Sequence, residues 1–493
     1  MPSNSTLRPR IHFTPRVHWM NDPNGCVFFR GRYHLFFQHH PYSTSWGPMH
    51  WGHASSSDLV HWNEQRIALY PDEQLGMAFS GSIAIDKHNS SGLFPAEAGL
   101  VAIFTSHRPA TDTTPTIQQQ SLAWSGDEGI TWSWYEGNPI IPNPGVDDFR
   151  DPRVLYHEPS GAWVLVLVAG REVRFYRSLN LFDWEYTSSF SAGNTGGIWE
   201  CPDLFPLPDP RRPENTVWVL AVSAMGPPTR SASALQYFLG SFDGYRFTNG
   251  SSPQRIRYLD GGHDFYAAQS WYGLPSAEER TIWIAWANHW KYAHLTPTDP
   301  WRGVMTIPRE VRLERQGNDL VLAQRPVREL NMFRTGTPTP IVPGRTVVLD
   351  DLPAWDIHLL IENPLGGSVA VEVSFGDGEV LDLCWDGDSS TLTLDRSALG
   401  TPPFHPAYAE PAIAEVPVNA RGDTRLDVRI ILDRSIVEVF ALHGVVVLTS
   451  QIFPKESPGA LEATAHGRSR LAEAGIAAIV SAYPERDAAP TAF

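Results

Sequence analysis

The chain has 493 residues, of which 42% are hydrophobic and 19% are charged, a composition typical of a globular protein with large buried cores. Its formal net charge of −16 argues against a nucleic-acid binder and against a protein that docks on anionic membranes, because both need a basic surface. A neutral ligand such as a sugar is compatible with this charge.

Neither a membrane span nor a disulfide framework is predicted. The sequence has no run of 18 apolar residues, and its polar residues 1–10 lack the apolar stretch of a signal peptide. The three cysteines, Cys26, Cys201 and Cys384, are sparse and odd in number. We therefore expect a cytoplasmic protein, or a secreted one whose leader has been removed, that acts as a monomer or homodimer.

Turn-forming and aromatic residues are both abundant, with 39 Gly, 42 Pro, 18 Trp, 15 Tyr and 23 Phe, which favours short strands joined by tight turns. One pattern, a Ser/Asp/Gly turn closed by an aromatic residue, recurs four times, and the closing residues are 70, 52 and 63 positions apart. Repeats of this length are typical of propeller blades, with unrelated hairpins as the alternative. The four segments are Ser57–Trp62, Ser125–Trp132, Ser178–Trp184 and Ser241–Phe247.

A second series of polar residues runs in step with these turns. Each of its five members precedes or opens an apolar, strand-like stretch, and the intervals are 58, 71, 49 and 64 residues. Five positions predict five blades. Because the first strand of each blade lines the central channel, the five side chains are predicted to converge on one funnel. The series is Asp22, Ser80, Asp151, Glu200 and Asp264.

The pattern changes after about residue 335. Segments such as Ser368–Phe375, Thr391–Leu394 and Leu426–Ile430 alternate apolar and polar residues, which predicts half-buried antiparallel strands and favours a β-sandwich. We therefore predict an all-β protein with a five-bladed β-propeller over residues 1–325 and a C-terminal β-sandwich over residues 346–493. Residues 326–345 are predicted to be a Pro-rich linker with a short helix at Val327–Met332.

Three carboxylates stand in distinctive local sequences. Asp22 lies inside Trp19–Gly25, and Asp151 follows Arg150. Glu200 lies among Ile, Trp and Cys, where apolar neighbours would raise the pKa of a general acid. Taken singly, the three also fit a polar turn, a surface ion pair and an edge-strand glutamate. Two or three carboxylates around one site suit glycoside cleavage, in which one is nucleophile or base and another is the acid, but spacing alone does not assign the roles.

These motifs resemble those of glycoside hydrolase family 32, the invertases, exo-inulinases and levanases. The resemblance extends over nearly the whole chain, and the matching blocks occur in the order and at the spacing expected for the family. Asp264–Gln269 and Asn288–Trp290 resemble the microbial exo-acting branch more than plant invertases. The blocks that carry the resemblance are Trp19–Gly25, Gln38, Ser45–Gly47, His50–His53, Phe79–Ser82, Arg150–Pro152, Glu200–Pro202, Trp301–Glu310 and Asp433–Phe440.

The resemblance implies a role for each site residue. Asp22 would be the nucleophile that forms a fructosyl-enzyme and Glu200 the acid/base, while Asp151, with Arg150, would hold the fructose hydroxyls and stabilise the transition state. The implied reaction is retaining, exo-acting hydrolysis of terminal β-D-fructofuranosyl residues in sucrose or in inulin- or levan-type fructans. No cofactor and no metal ion are expected. The residues implied to bind substrate, beside Arg150, are Asn21, Gln38, Trp46, Phe79, Ser80, Asp264 and Trp290.

Three alternatives compete with this interpretation. A fructosyltransferase would share the fold and differ in whether a sugar or water reaches the fructosyl-enzyme. A non-catalytic fructan-binding protein would have lost a carboxylate, yet Asp22, Asp151 and Glu200 are all present. A sialidase would need several turns of the Ser125–Trp132 kind and an arginine cluster, and only this one turn matches that pattern in full.

Overall fold

The computed structural model describes residues 7–95, 98–225, 233–275, 280–350, 354–400, 403–418 and 424–483. In these ranges the regular structure is nearly all β, and the helical segments are 3-10 turns of three to six residues. No helix in the described part of the chain is long and apolar enough to cross a membrane. The 3-10 turns are Glu158–Ser160, Ala293–Leu295, Arg328–Phe333, Pro364–Gly366, Gly376–Gly378, Pro406–Tyr408 and Leu442–Gly444.

The described residues up to 326 form five sheets, each built around four antiparallel strands in chain order. The first sheet contains β1 (His18–Phe29), β2 (Arg32–His40), β3 (His50–Ser56) and β4 (Asn63–Glu64). The second contains β5 (Met77–Asp86), β6 (Gly99–Arg108), β7 (Ile117–Ser125) and β8 (Ser133–Trp134). The third contains β9 (Phe149–His157), β10 (Ala162–Ala169), β11 (Glu172–Ser178) and β12 (Glu185–Phe190).

The fourth sheet contains β13 (Ile198–Asp209), β14 (Arg212–Met225), β15 (Ser233–Phe242) and β16 (Phe247–Asn249). The fifth contains β17 (Tyr266–Ser270), β18 (Thr281–Trp286), β20 (Arg309–Gln316) and β21 (Asp319–Pro326). The short strand β19 (Trp301–Arg302) leaves this order and pairs in parallel with β1, with Trp301 opposite His18 and Arg302 opposite Trp19. The first sheet is therefore completed by a strand from much later in the chain.

The first strands of the five sheets contact one another in a ring, in the order β1, β5, β9, β13, β17 and back to β1. Hydrophobic cores lie between adjacent sheets; Val166 of the third sheet and Leu220 of the fourth belong to one such core. Every residue of β10 is buried, and its sequence, AWVLVLVA, has no polar alternation. A continuous apolar strand of this kind is expected where both faces of a sheet are covered by neighbours.

The recurring turn joins the third strand of a sheet to the fourth, which confirms that the four segments are hairpin turns. In the second sheet, Ser125 Oγ donates a hydrogen bond to Asp127 Oδ1 over 2.8 Å, and Trp132 Nε1 donates to Gly129 O over 3.0 Å. Two further copies repeat both bonds, so these hairpins are equivalent units. In the first copy the serine is Ser56, not Ser57. The repeating residues are Ser56, Asp58 and Trp62, and Ser178, Asn180 and Trp184.

Beyond residue 326, the part of the chain that the structure describes forms two six-stranded sheets with an apolar core between them. Strand β25 (Gly367–Phe375) shows the predicted alternation, with Val369, Val371 and Val373 buried at every second position. One sheet has the order β22 (Arg334–Pro340), β33 (Arg470–Ile479), β24 (Ala354–Glu362), β29 (Arg425–Asp433), β30 (Ile436–Ala441) and β31 (Val446–Gln451). The other has the order β23 (Val347–Val348), β32 (Pro458–Gly467), β25 (Gly367–Phe375), β26 (Val380–Asp386), β27 (Thr391–Asp395) and β28 (Ala412–Glu415).

Part of the predicted linker belongs to these C-terminal sheets. The short helix lies at Arg328–Phe333, one residue beyond its predicted position. Strand β22 follows at once and pairs with β33. The C-terminal unit therefore begins before residue 346, because β22 supplies an edge strand.

Buried ion pairs join the two units. Arg309 of β20 lies 2.9 Å from Glu438 of β30, measured from Nη2 to Oε2. His12 lies between Asp433 and Glu438, with Nδ1 2.8 Å from Asp433 Oδ2 and Nε2 3.2 Å from Glu438 Oε1. All four side chains are fully buried. We call these residues, His12, Arg309, Asp433 and Glu438, the interface network.

Candidate active site

A pocket of about 400 Å³ opens where the first strands of the five sheets meet. Ten of the eleven predicted site residues line it. The lining residues are Asn21, Asp22, Gln38, Trp46, Phe79, Ser80, His107, Gln118, Arg150, Asp151, Glu200, Met225, Trp290 and His294.

A repeated irregularity in the first strands brings the polar residues to the pocket. Each first strand has a register shift, and the shifts enclose Asn21–Asp22, Phe79–Ser80, Asp151–Pro152, Cys201–Pro202 and Ala267–Ala268. A bulge of this kind turns side chains away from the regular alternation of a strand, and such bulges are common beside active sites. Asp151 and Cys201 have left-handed backbone at their bulges, with φ of 62° and 47°.

The two carboxylate oxygens of Asp22 have different surroundings. Its Oδ2 accepts a hydrogen bond from Ser80 Oγ over 3.0 Å and lies 3.5 Å from Cys201 Sγ. Its Oδ1 accepts no hydrogen bond of normal geometry from the described residues. Burial, and then the negative charge of Glu200, raise the pKa of Asp22 to about 6. Near neutral pH this side chain is mainly a carboxylate.

Asp151 is held by backbone groups deep in the pocket. Its Oδ2 accepts a hydrogen bond from Cys201 N over 2.9 Å, and its own backbone N donates to Thr105 Oγ1 over 2.9 Å. Burial raises the pKa of Asp151 to about 7, with Arg150 opposing this effect and Glu200 adding to it. Near neutrality Asp151 is therefore populated in both its ionised and its protonated forms, and its position is fixed by the hydrogen bond from Cys201 N.

Both carboxylate oxygens of Glu200 have polar partners. Arg150 Nη2 lies 3.0 Å from Glu200 Oε1, and Tyr266 OH donates a hydrogen bond to Oε2. The apolar surroundings expected from the neighbouring Ile, Trp and Cys are therefore not found. Arg150 also pairs with Asp148, and its Nε is 3.8 Å from Asp151 Oδ2, so it is closer to Glu200 than to the aspartate beside it in sequence.

Aromatic side chains form two walls of the pocket. On one side, Trp46 meets Phe79 edge to face with ring centroids 6.0 Å apart, and Phe79 stacks on His107 at 4.1 Å. On the other side, Trp290 packs 4.8 Å from Trp286, and its indole Nε1 has no partner among the described residues. Trp46 is 39% exposed, whereas Asp22 is 9% and Asp151 6% exposed. The aromatic rim is therefore open to solvent and the carboxylates lie deep.

Two predicted amides help to shape the deep end of the pocket. Asn21 is fixed by Trp19, whose Nε1 donates to Asn21 Oδ1 over 2.8 Å. Gln38 donates from Nε2 to Ala78 O over 3.1 Å. Each amide keeps part of its hydrogen-bonding capacity for another group, because an amide side chain offers both donors and acceptors.

Asp264 is the predicted site residue that does not line the pocket, and its assignment as substrate-binding is wrong. Its side chain is fully buried and faces the C-terminal unit. Its Oδ1 accepts a hydrogen bond from Tyr292 OH over 2.6 Å, and its Oδ2 lies 2.6 Å from Arg396 Nη1. The register of β17 places Tyr266, not Asp264, at the position that Glu200 occupies in β13.

Sequence reasoning missed several residues that the structure brings to the site. Tyr266 contacts Glu200, and Gln118 Oε1 lies 3.4 Å from Arg150 Nη1. His107 and His294 extend the two aromatic walls. Tyr266 directly precedes the bulge of β17, as Glu200 does in β13, but nothing in its local sequence distinguishes it from a core aromatic residue. Across the described residues, no group of three His, Cys, Asp or Glu side chains has an arrangement that could hold a metal ion.

Residues 12–326 match the Glycosyl hydrolases family 32 N-terminal domain, and residues 335–477 match the Glycosyl hydrolases family 32 C terminal. The chain is 43% identical over 469 residues to the levanase of Bacillus subtilis (strain 168), covering 92% of this chain and 68% of the levanase. It is 36% identical over 485 residues to the extracellular exo-inulinase of Aspergillus ficuum, covering 91% and 89%. It superposes on the crystal structure of exo-inulinase from Aspergillus awamori with a TM-score of 0.87 at 33% identity, covering 98% and 99%.

Proposed function

The chain belongs to glycoside hydrolase family 32, and we propose that it is a retaining exo-β-fructofuranosidase that releases terminal fructose from fructans and sucrose. The observation that carries the proposal is the convergence of Asp22, Asp151 and Glu200 in one pocket, with Arg150 between the last two. The similarity to a levanase and to exo-inulinases supports fructans as the substrate class.

The three carboxylates fit a two-step displacement. A carboxylate oxygen of Asp22 attacks the anomeric carbon of the terminal fructose, and the glycosidic oxygen leaves with the proton of Glu200. Water then attacks the fructosyl-enzyme and gives its proton to Glu200, which releases fructose and frees Asp22. The Asp151 carboxylate stabilises the positive charge that develops on the sugar ring, while Arg150 holds Asp151 and Glu200 in position.

We also propose that the five sheets up to residue 326 are the blades of a five-bladed β-propeller, followed by a β-sandwich. The ring of contacts among β1, β5, β9, β13 and β17 supports the propeller, and the core between the two C-terminal sheets supports the sandwich. In this arrangement the pocket lies on the propeller axis at one end of the ring.

The depth of the carboxylates supports attack at chain ends. A pocket whose rim is exposed and whose acidic groups are buried admits a terminal residue more easily than the middle of a polymer. We therefore expect fructose to be the dominant product from levan and inulin from the first minutes of the reaction. An early ladder of oligosaccharides would contradict exo action. Oligosaccharides that are longer than the substrate and accumulate from sucrose would indicate a fructosyltransferase.

Retention is tested by the anomer that appears first. With Asp22 as nucleophile and Glu200 as acid/base, early proton NMR spectra of sucrose hydrolysis should show β-fructose before mutarotation mixes the anomers. If the α anomer formed first, the covalent role of Asp22 would be excluded. Digestion of sucrose, inulin and levan at equal concentrations of terminal fructose then ranks the three substrates.

A further inference from the structure

The loop at residues 288–295, which we call the aromatic loop, has one side in the pocket and the other against the C-terminal unit. On the pocket side are Trp290 and His294. Both stack on Trp19, with ring centroids 6.2 Å and 4.7 Å away. On the opposite side is Tyr292, whose side chain is buried among residues of the C-terminal unit.

Arg396 holds Tyr292 from the C-terminal side. It follows directly after β27, and it is 1% exposed. Its Nη2 donates a hydrogen bond to Tyr292 OH over 2.8 Å, and its Nη1 lies 2.6 Å from Asp264 Oδ2. Tyr292 OH in turn donates to Asp264 Oδ1 over 2.6 Å. The three side chains therefore form a closed triangle of hydrogen bonds across the boundary between the units.

The guanidinium of Arg396 is itself fixed by its own unit. Its Nε donates to Tyr408 O over 2.9 Å, and its Nη1 also donates to Gln451 O over 2.5 Å. Its plane lies over the ring of Tyr408, 4.3 Å from the centroid. A planar group with five donors can meet all these acceptors together, which a lysine ammonium on a flexible stem cannot do.

We propose that Arg396 is a positioning residue for the fructoside pocket: through Tyr292 and Asp264 it fixes the aromatic loop, and so the indole of Trp290 against which the terminal sugar packs. The inference rests on the proposed function. It gives the C-terminal unit a share in substrate binding although none of the unit's described residues lines the pocket. It also explains why Asp264, predicted to bind substrate, is buried behind the loop.

The test separates binding from chemistry. In Arg396→Met the loop loses its anchor while the three carboxylates keep their contacts. We therefore expect the KM for sucrose to rise about 5- to 10-fold, the effect of losing one aromatic packing contact, with kcat within about 3-fold of wild type. Tyr292→Phe removes only the hydroxyl and should therefore raise the KM for sucrose by a smaller factor. Arg396→Lys should not restore the wild-type KM.

A matched control is Arg429→Met. Arg429 also makes a two-bonded ion pair within the C-terminal unit, with Asp356, but it does not touch the aromatic loop. The Arg429→Met substitution should lower the melting temperature and leave the KM for sucrose unchanged. If Arg396→Met and Tyr292→Phe fold and both keep KM within twofold of wild type, the inference is overturned. If Arg396→Met does not fold, the result for Tyr292→Phe decides.

A second measurement does not depend on activity. Trp290 lies close to Trp19 and Trp286, so Trp290→Phe should remove part of the near-ultraviolet circular dichroism of these coupled indoles. Arg396→Met and Tyr292→Phe should weaken the same band, whereas Arg429→Met should not. If the wild-type protein releases no fructose from any substrate, the proposed function fails while this band still tests the position of the loop. An unchanged band in both loop variants would overturn the inference.

Discussion

Asp22 and Glu200 have different neighbours, and the difference fits two different tasks. Asp22, the proposed nucleophile, accepts a hydrogen bond on Oδ2 from Ser80 and none of normal geometry on Oδ1 from the described residues. Glu200 has both oxygens bonded, one to Arg150 and one to Tyr266 OH, so its carboxyl group is fixed in direction. A fixed direction suits an acid that must deliver its proton to one lone pair of the glycosidic oxygen.

Leaving-group dependence should separate the two roles. Glu200→Ala removes the proton donor, so we expect a loss of about 10²- to 10⁴-fold on sucrose and a much smaller loss in fructosylation from an activated aryl fructoside. Added azide should partly restore turnover, with a β-linked product. Asp22→Ala should lose activity on both substrates, because no covalent intermediate can form. Equal losses of Glu200→Ala on the two substrates, without azide rescue, would contradict the acid/base role.

The acid limb of the pH profile should report the ionisation of Asp22 together with that of Asp151, whose pKa is raised to about 7. The pKa of Asp22 is raised to about 6, and the nucleophile must be ionised, so kcat/KM is expected to fall as the pH drops through about 6. Ser80→Ala removes a hydrogen bond that stabilises the carboxylate, which should move this limb about half a pH unit higher. Ser82 lies in the same strand, and its Oγ donates to Pro152 O. Ser82→Ala should therefore leave the acid limb at its wild-type pH. An unmoved limb in Ser80→Ala would exclude Asp22 as its source.

At the scale of strands, the repeating bulge explains both the success and the failure of the sequence prediction. Asp22, Ser80, Asp151 and Glu200 were found because each lies at or beside the bulge of its first strand. The fifth position was wrong because hairpin lengths vary from sheet to sheet, so an average spacing does not fix the register. Asp264 lies two residues before the matching position, and Tyr266 looked like an ordinary core aromatic.

The Ser-x-Asx turns should contribute to stability independently of activity. Asp127 Oδ1 accepts hydrogen bonds from Ser125 Oγ and from Thr131 N. In the third sheet, Asn180 Oδ1 accepts the equivalent two hydrogen bonds. Asp127→Ala should therefore cost about 1 kcal/mol and lower the melting temperature by about 2 °C, with unchanged kcat/KM. Asp127→Asn keeps the accepting oxygen and should lie close to wild type by calorimetry. If both variants melt alike, the side-chain acceptor is not what stabilises the turn.

For the whole molecule, the order of the two units was predictable and their connection was not. Alternation in segments such as Ser368–Phe375 marks the C-terminal strands, and turn spacing marks the five sheets. Strand β22, in contrast, is exposed at nearly every residue and rich in Pro and Thr, so its sequence looks like a linker. The interface network could not be predicted from the sequence either, because it joins His12 to residues more than 400 positions away.

The interface network should make stability depend on pH above neutrality. Burial alone would lower the pKa of His12, but its hydrogen bonds to Asp433 and Glu438 raise it to about 9. Because the pKa of His12 is higher in the folded than in the unfolded state, protonation of His12 stabilises the folded state. This contribution, on the order of a few kcal/mol, is fully present below about pH 6.5 and is lost as the pH rises to about 9. The melting temperature of His12→Gln should therefore lie furthest below that of wild type at pH 6 and approach it by pH 9. The exposed His88→Gln variant should show no such convergence. A constant gap for His12→Gln would show that its charge is not responsible.

The parallel pair between β1 and β19 has a consequence for synthesis of the chain on the ribosome. His18 cannot meet Trp301 until about 280 further residues have been made, which takes roughly 15 to 60 s at 5–20 residues per second. During that interval one edge of β1 is without its native neighbour, and an open strand edge can pair with strands of other nascent chains. Translation speed across residues 20–300 therefore sets how long each new molecule is exposed to misassembly, and nascent-chain chaperones have most to protect in that period.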